Sequence, residues 1–377
     1  MPVRAPDAVD ACLSPLGLDQ SIANMACRLL VYCPMRRTRL VVWLSMALLA
    51  TTSAAAVETE PFGDPATRED VVELRTEIER LRGRLERLES GQAASPRALH
   101  TFELPARLEF AGEAVPLGRW DVSERLEREF LLSVGNPAQV VLWLKRSARY
   151  FPYIEKELAR AGLPEDLKYV AVIESALLPS AYSHASALGI WQFIASTAKR
   201  YGLAVSTGWD ERRNPERSTA AALALLRELR QRFPDWPLAL AAYNAGEGRI
   251  EQALRHQGVT SYYQVSLADE TERYVFRALA AKLILSEPER YGFEVPNEQR
   301  YRPYDADVVG IELRERVAVA DLARQAGSFY RELKALNPEI VDDWLGKGRY
   351  EIRVPKGRAP ALRAVYGATT RPTVLPR

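Results

Sequence analysis

The sequence predicts a mainly α protein closed by a small C-terminal β-α-α-β unit, and three observations carry this expectation. Between residues 121 and 286, apolar residues recur at helical spacing in segments punctuated by proline and glycine, with no long alternating strand among them. After Pro296 the texture changes to short alternating runs. The 377 residues are 47% hydrophobic and 27% charged, enough for two or three modest cores, which excludes a disordered or collagen-like chain. Charge removes another class. Residues 1–56 hold five of the 51 basic and three of the 49 acidic residues, so 46 of each remain over residues 57–377. A neutral balance without a basic stretch argues against a nucleic-acid partner.

Taken in order, residues 1–34 read as an upstream misreading or a long leader, with Met35 as the true start. Met35-Arg36-Arg37-Thr38-Arg39, the apolar run Leu40 to Ala50 and the small residues Ser53-Ala54-Ala55-Ala56 predict a signal peptide over residues 35–56, cleaved near Ala56. The apolar run is short against the about 20 residues a membrane span needs. All three cysteines (Cys12, Cys27, Cys33) precede it. The expected mature chain is exported to the periplasm or cell envelope, has no disulfide and is not lipidated on a cysteine.

Residues 57–100 are expected to form a coiled-coil helix and a linker. Val71, Leu74, Ile78, Leu81, Leu85 and Leu88 alternate spacings of three and four, an a/d seam that predicts a homo-oligomer through residues 71–88. Residues 101–160 read as a helical extension and 161–296 as the main all-α domain. Its helices are expected at 121–133, 137–161, 165–177, 191–201, 214–232, 237–246, 248–257 and 269–286. Pro215 and Pro237 suit first turns; Gly202, Gly246 and Gly258 suit helix ends. Residues 304–357 supply the β-α-α-β unit: strand Val308 to Leu313, helices Ala320 to Ala326 and Tyr330 to Leu336, and a strand through Tyr350, Ile352 and Val354. Residues 358–377, with Pro360, Pro372 and Pro376, are expected to be a loose tail.

Glu174 is the most informative residue. It occupies an apolar stripe of Leu167, Val170, Ala171 and Leu177, so a carboxylate takes a core position. Such a group must be paired, protonated or facing a cleft, and desolvation raises its pKa toward the range of a general acid. A structural glutamate paired with an arginine fits this helix equally well. Gly189-Ile190-Trp191-Gln192-Phe193 groups an aromatic and an amide at an expected helix start, Ala242-Tyr243-Asn244-Ala245-Gly246 groups a phenol and an amide at a helix end, and Glu270 and Tyr274 share a helix face. Aromatic faces and neutral amides suit a neutral polyol. His100, His184 and His256 lack ligand spacing, so neither a metal nor a cofactor is expected.

In this order, Glu174-Ser175, residues 189–193, residues 242–246, Glu270-Thr271 and Tyr274-Val275 resemble the catalytic domain of family 23 lytic transglycosylases, and within it the D-type membrane-bound enzymes. Phe110-Ala111-Gly112-Glu113, Asp121 to Leu126, Arg149-Tyr150-Phe151-Pro152 and Asp210-Glu211-Arg212-Arg213 extend the resemblance over about Leu104 to Val295. It implies a lysozyme-like α domain that cleaves the β-1,4 bond between N-acetylmuramic acid and N-acetylglucosamine, with peptidoglycan glycan strands as partner. It also implies one glutamate, here Glu174, acting as acid and then as base toward the muramic 6-hydroxyl to leave a 1,6-anhydro end. Ser175, Gln192, Tyr243, Asn244, Glu270 and Tyr274 match the family's sugar-positioning residues, with Tyr274 expected beside Glu174. The absence of Asp and Glu between Ser175 and Trp209 agrees with a one-carboxylate reaction.

The family usually has Ser-Pro-Ala-Gly-Ala where this chain reads Ser183-His184-Ala185-Ser186-Ala187, so a positive φ at that point would strain Ser186. The C-terminal unit resembles a LysM-type module through Leu322-Ala323, Leu333, Leu336-Asn337-Pro338 and Tyr350 to Pro355, with Arg316-Val317-Ala318-Val319 replacing the usual opening motif. The alternatives are a hydrolytic muramidase and a non-catalytic wall-binding scaffold.

Overall fold

The computed structural model describes residues 103–367, with Arg82 alone outside them. The upstream segment, the signal peptide and, Arg82 apart, the coiled-coil seam lie outside the described residues. Among the described residues, no helix is long and apolar enough to cross a membrane.

A two-residue hairpin, β1 (Glu109–Phe110) and β2 (Glu113–Ala114), precedes α1 (Trp120–Val134), α2 (Pro137–Ala161), α3 (Lys168–Ser175), α4 (Ala195–Arg200), α5 (Pro215–Arg232), α6 (Trp236–Ala245), α7 (Glu247–Gln257) and α8 (Asp269–Ser286). Helix α8 is the axis of the domain and packs on α1, α3 and α6. Val275, Phe276, Ala278, Leu279, Ala280, Ala281 and Ile284 are all fully buried, so it is apolar nearly all round, as a central helix must be. Local chemistry sets the helix starts. Asn214 accepts from the backbone N–H of Glu216 and Arg217 ahead of Pro215, and Asp235 accepts from that of Leu238. Gly162 and Gly258 close α2 and α7 in the left-handed conformation.

Two expected helices are shorter than their periodicity. The 165–177 segment divides into a 3-10 turn, Glu165–Leu167, and α3, which stops because Ala176 and Leu177 both adopt positive φ. The 191–201 helix begins only at Ala195; Gly189 (φ 87°) and Gln192 (φ 50°) form a tight turn in its place.

The C-terminal unit contains β3 (Ala306–Leu313), β4 (Val317–Ala318), α9 (Val319–Gln325), α10 (Tyr330–Leu336), β5 (Trp344–Leu345) and β6 (Gly348–Pro355). β3 and β6 pair antiparallel from Ala306↔Pro355 to Leu313↔Gly348, and β4 pairs with β5. Val309, Ile311, Leu322, Leu333, Ile352 and Val354 make a core of its own. The loose-tail reading of residues 358–377 is corrected over Ala359–Tyr366, which form a helix, α11, packed on β3. Pro360 sits in its first turn, where proline starts a helix rather than breaking one, and Ala359 and Leu362 are buried. The unit therefore continues past residue 357.

Nothing in the local sequence pattern announced that the C-terminal unit docks on the α domain. Asp210 N–H donates to the Glu339 carbonyl (2.9 Å) and Val341 N–H to that of Gly208 (3.0 Å), and in the segment leading to β3 Tyr301 N–H donates to the Lys145 carbonyl (3.0 Å). The Trp209 and Tyr350 rings stand 5.0 Å apart. Glu339 is fully buried in this seam, where it accepts from Asn214 Nδ2 (2.9 Å) and Arg353 Nη1 (3.3 Å).

Candidate active site

The site is built around the last turn of α3. Leu167, Val170, Ala171 and Leu177 are buried, and Glu174 on the same stripe is half-buried, the position its spacing predicts. Tyr274, one hundred residues away on α8 and 1% exposed, donates its hydroxyl to Glu174 Oε1 at 2.5 Å. Burial pushes the Glu174 carboxyl up to about 7; the Tyr274 hydrogen bond and the Arg277 charge pull it down, and the Glu270 charge pushes it up. A carboxyl in that range carries its proton through much of the neutral region. Arg277 reaches the α3 end without forming a salt bridge with Glu174, donating to the Ile173 carbonyl at 2.5 Å. The arginine-paired structural glutamate thus has a neighbouring charge but not the pair.

The other six candidates divide by what they touch. The Tyr243 hydroxyl donates to the Trp191 carbonyl at 2.8 Å, and its pKa is raised well above the ordinary range, first by burial and then by the Glu174 charge. It therefore lies within reach of the Glu174 charge. Ser175 Oγ donates to the Ile190 carbonyl at 2.9 Å and lies 3.2 Å from that of Ala171. Gln192 Nε2 donates to the Ala181 (3.0 Å) and Gly189 (2.8 Å) carbonyls, which leaves its amide oxygen for other partners. Asn244 Oδ1 accepts from the buried Thr271 hydroxyl at 2.8 Å, tying the end of α6 to the start of α8. Glu270 is exposed, one turn before Tyr274. Tyr274, Tyr243 and Glu270 thus each act on Glu174, whereas Ser175 and Gln192 are bonded to backbone carbonyls and Asn244 to the Thr271 side chain.

The aromatics of the 189–193 cluster, Trp191 and Phe193, are both buried. Trp191 is fully buried and donates its indole N–H to Thr219 Oγ1 at 2.9 Å; the exposed aromatic of this region is Tyr182, 67% accessible. A hydroxyl one helix away satisfies the indole, so the ring packs rather than binds.

Sequence reasoning missed the groups that hold the loop. Arg212, 8% exposed, is clamped by Asp210 and donates Nη1 to the carbonyls of Ser186 (3.0 Å) and Phe193 (3.1 Å). A Cβ on Gly189 would meet the Arg212 carbonyl oxygen at 1.8 Å, so only glycine fits there. Ser186 does take a positive φ, 60°, and accepts the Tyr182 hydroxyl on Oγ at 2.9 Å. With Ala176, Leu177 and Gln192, four of the five non-glycine residues of positive φ among the described residues lie in this region. The signal for Arg277 was available: it lies three residues after Tyr274 and seven after Glu270, on the same helical face. The role of Arg212 had only its presence in a matching motif.

Among the described residues no group of three or more His, Cys, Asp or Glu could hold a metal. Residues 151–265 match the transglycosylase SLT domain family. The chain is 35% identical over 224 residues to the membrane-bound lytic murein transglycosylase D of Escherichia coli (strain K12), a match covering 58% of this chain and 49% of that protein. It is 40% identical over 104 residues to a peptidoglycan transglycosylase of Escherichia phage T7, covering 27% of this chain and 8% of the phage protein. The 70 kDa soluble lytic transglycosylase of Escherichia coli matches in structure with a TM-score of 0.33 at 19% identity, covering 50% of this chain and 37% of that one. The chain spans about half the length of the curated relative with which it shares 224 residues.

Proposed function

We propose that this chain, which carries a transglycosylase SLT domain over residues 151–265, is a peptidoglycan lytic transglycosylase with Glu174 as its single acid and base. The observation that carries the reading is the 2.5 Å hydrogen bond from Tyr274 to a carboxyl whose pKa burial lifts to about 7. Such a group can hold a proton near neutral pH and still give it up.

In the proposed reaction Glu174 protonates the bridging oxygen as the bond from the muramic anomeric carbon breaks, and the N-acetylglucosamine leaves with a new 4-hydroxyl. The Glu174 carboxylate then takes the proton of the muramic 6-hydroxyl as that oxygen bonds to the anomeric carbon. The product is a 1,6-anhydro end, and the acid is restored without water. Tyr274 would orient the carboxyl and stabilise its charged form between the two steps, and Tyr243 would close the pocket behind it. Ser175, Gln192, Asn244 and Glu270 complete the proposed sugar-positioning set.

The same reading assigns residues 35–56 to export, 71–88 to self-association and 304–366 to a LysM-like unit that retains glycan strands. The names of the relatives, both murein or peptidoglycan transglycosylases, support the substrate.

The test is to digest isolated sacculi with the full chain and with Glu174→Gln and weigh the soluble products. Anhydro-muropeptides from the wild type, with release reduced about 10²- to 10⁴-fold in the variant, are expected. Reducing-end products would make water the acceptor. Binding without release by either protein would leave a scaffold.

A further inference from the structure

A cavity of about 640 Å³ lies between the α domain and the C-terminal unit; Glu174 is not among its lining residues, and its walls are charged in an unbalanced way. Arg146 and Arg149 reach it from α2, Arg213 from the loop before α5 and Lys334 from α10; Glu216 is its single carboxylate, already engaged by Arg353 at 2.6 Å. Among the described residues Arg146, Arg149 and Arg213 form no salt bridge. Arg146 donates to the Ala176 carbonyl at 3.0 Å, and Arg149 donates to the Arg302 carbonyl (2.9 Å) and the Tyr304 hydroxyl (3.0 Å). Arg213 Nε is buried without any hydrogen-bond partner, an orphan donor of the kind folded proteins rarely leave. Lys334 is pushed down chiefly by burial and further by the Arg213 charge, against the opposing pull of Asp343, so the cations feel one another.

Unpaired guanidinium groups in a walled space are costly until an anion arrives, and planar forks suit carboxylates. Tyrosine rings line the same space, and Arg149 stacks over Tyr304 with its guanidinium carbon 4.2 Å from the ring centre. The volume suits a ligand of a few residues rather than a simple ion. The floor runs through Leu177, Leu178 and Ser180, the turn that leaves the end of α3, so a ligand here would sit close to a glycan bound at Glu174.

We infer that this cavity binds the carboxylates of a short acidic peptide, namely the stem peptide borne by the muramic acid of the strand being cut, an assignment that rests on peptidoglycan being the substrate. Arg213, which lines the cavity and whose Nε has no partner, would turn its guanidinium onto a carboxylate, and Arg149 and Lys334 would supply the flanking charge. The C-terminal unit would then complete a substrate site as well as retain glycan, because one wall of the cavity belongs to it.

The test is calorimetric titration of the full Glu174→Gln chain with the stem tetrapeptide cleaved from sacculi by an amidase. Saturable binding is expected, weakened at least tenfold by Arg213→Gln and absent for the peptide with its carboxyls amidated. Lys334→Gln, at a half-buried position of α10, gives a second variant if Arg213→Gln unfolds at a lower temperature. With Glu174 intact, Arg213→Gln should raise KM severalfold on peptide-bearing strands and leave cleavage of peptide-stripped strands within twofold. Equal binding of the amidated peptide, or binding unaffected by both substitutions, would overturn the inference. So would inorganic phosphate that binds as tightly as the peptide and loses affinity equally in the variants, which would make this a general anion site. The readouts separate the two readings: peptide binding by a chain that releases nothing from sacculi removes the lytic function alone, and cleavage without peptide binding removes this inference alone.

Discussion

Glu174 is held between opposing influences, and each can be removed singly. The Tyr274 hydrogen bond stabilises the charged carboxylate, and the Glu270 charge destabilises it. If Glu174 is the acid, activity falls as pH rises through about 7. Tyr274→Phe should move that limb to higher pH and Glu270→Gln to lower pH, read from initial rates of sacculus solubilisation. Shifts of the same sign in both variants would mean that another group sets the limb. Stability gives an independent check. A carboxyl that titrates near 7 when folded against an ordinary 4.5 takes up a proton on folding between those values, so it withdraws stability as pH rises through that window. Glu174→Gln should therefore be more stable than the wild type above pH 7, by about 2 kcal/mol once solvent access is allowed for. The difference should vanish below the ordinary carboxyl range, in paired urea unfolding curves.

At the scale of elements, the turn after α3 and the loop of residues 183–193 set where the side chains point. Both depart from regular structure at positions of positive φ, and Arg212 fixes the second by donating to two of its carbonyls. Gly189 is the least replaceable residue of this loop, since its Cα lies against the Arg212 backbone. Gly189→Ala should cost about 3 kcal/mol or more in unfolding free energy, with activity lost together with loop geometry. Thermal melts beside sacculus assays check both. The helices themselves were legible because periodicity, prolines and caps are local signals. The turn was not, because a stretch such as Ile190-Trp191-Gln192-Phe193 reads as the start of a helix until the Arg212 carbonyl occupies the space a side chain needs. Trp191 shows the same limit: its type suggested a sugar platform, and its contact with Thr219 made it core.

At the scale of the molecule, the seam between the α domain and the C-terminal unit contains a fully buried glutamate whose charge is compensated by Arg353 of its own unit, while Asn214 reaches it from the α domain. Glu339 is pushed up by burial and held down mainly by Arg353, which also reaches Glu216 on α5. Arg353→Ala would leave Glu339 with Asn214 as its hydrogen-bond partner, and breaking a buried pair by removing one member costs about 3–5 kcal/mol. Urea unfolding of the full chain should show that loss, together with looser coupling of the two units in limited proteolysis. An unchanged midpoint would mean that the units do not rely on one another.

The sequence by itself determined the mainly α class, most helix boundaries, the two long strands of the C-terminal unit, though not the short β4 and β5, and the placement of one carboxylate in an apolar stripe. These follow from hydrophobic spacing and capping chemistry, which act over a few residues. The family resemblance put Tyr274 beside Glu174, and only the tertiary structure decided that Trp191 turns inward, that residues 359–366 form a packed helix and that the C-terminal unit closes a cationic cavity against α2. Each of these is a contact between segments far apart in the chain. Its energy depends on what another element places at that point in space, and no local pattern records that.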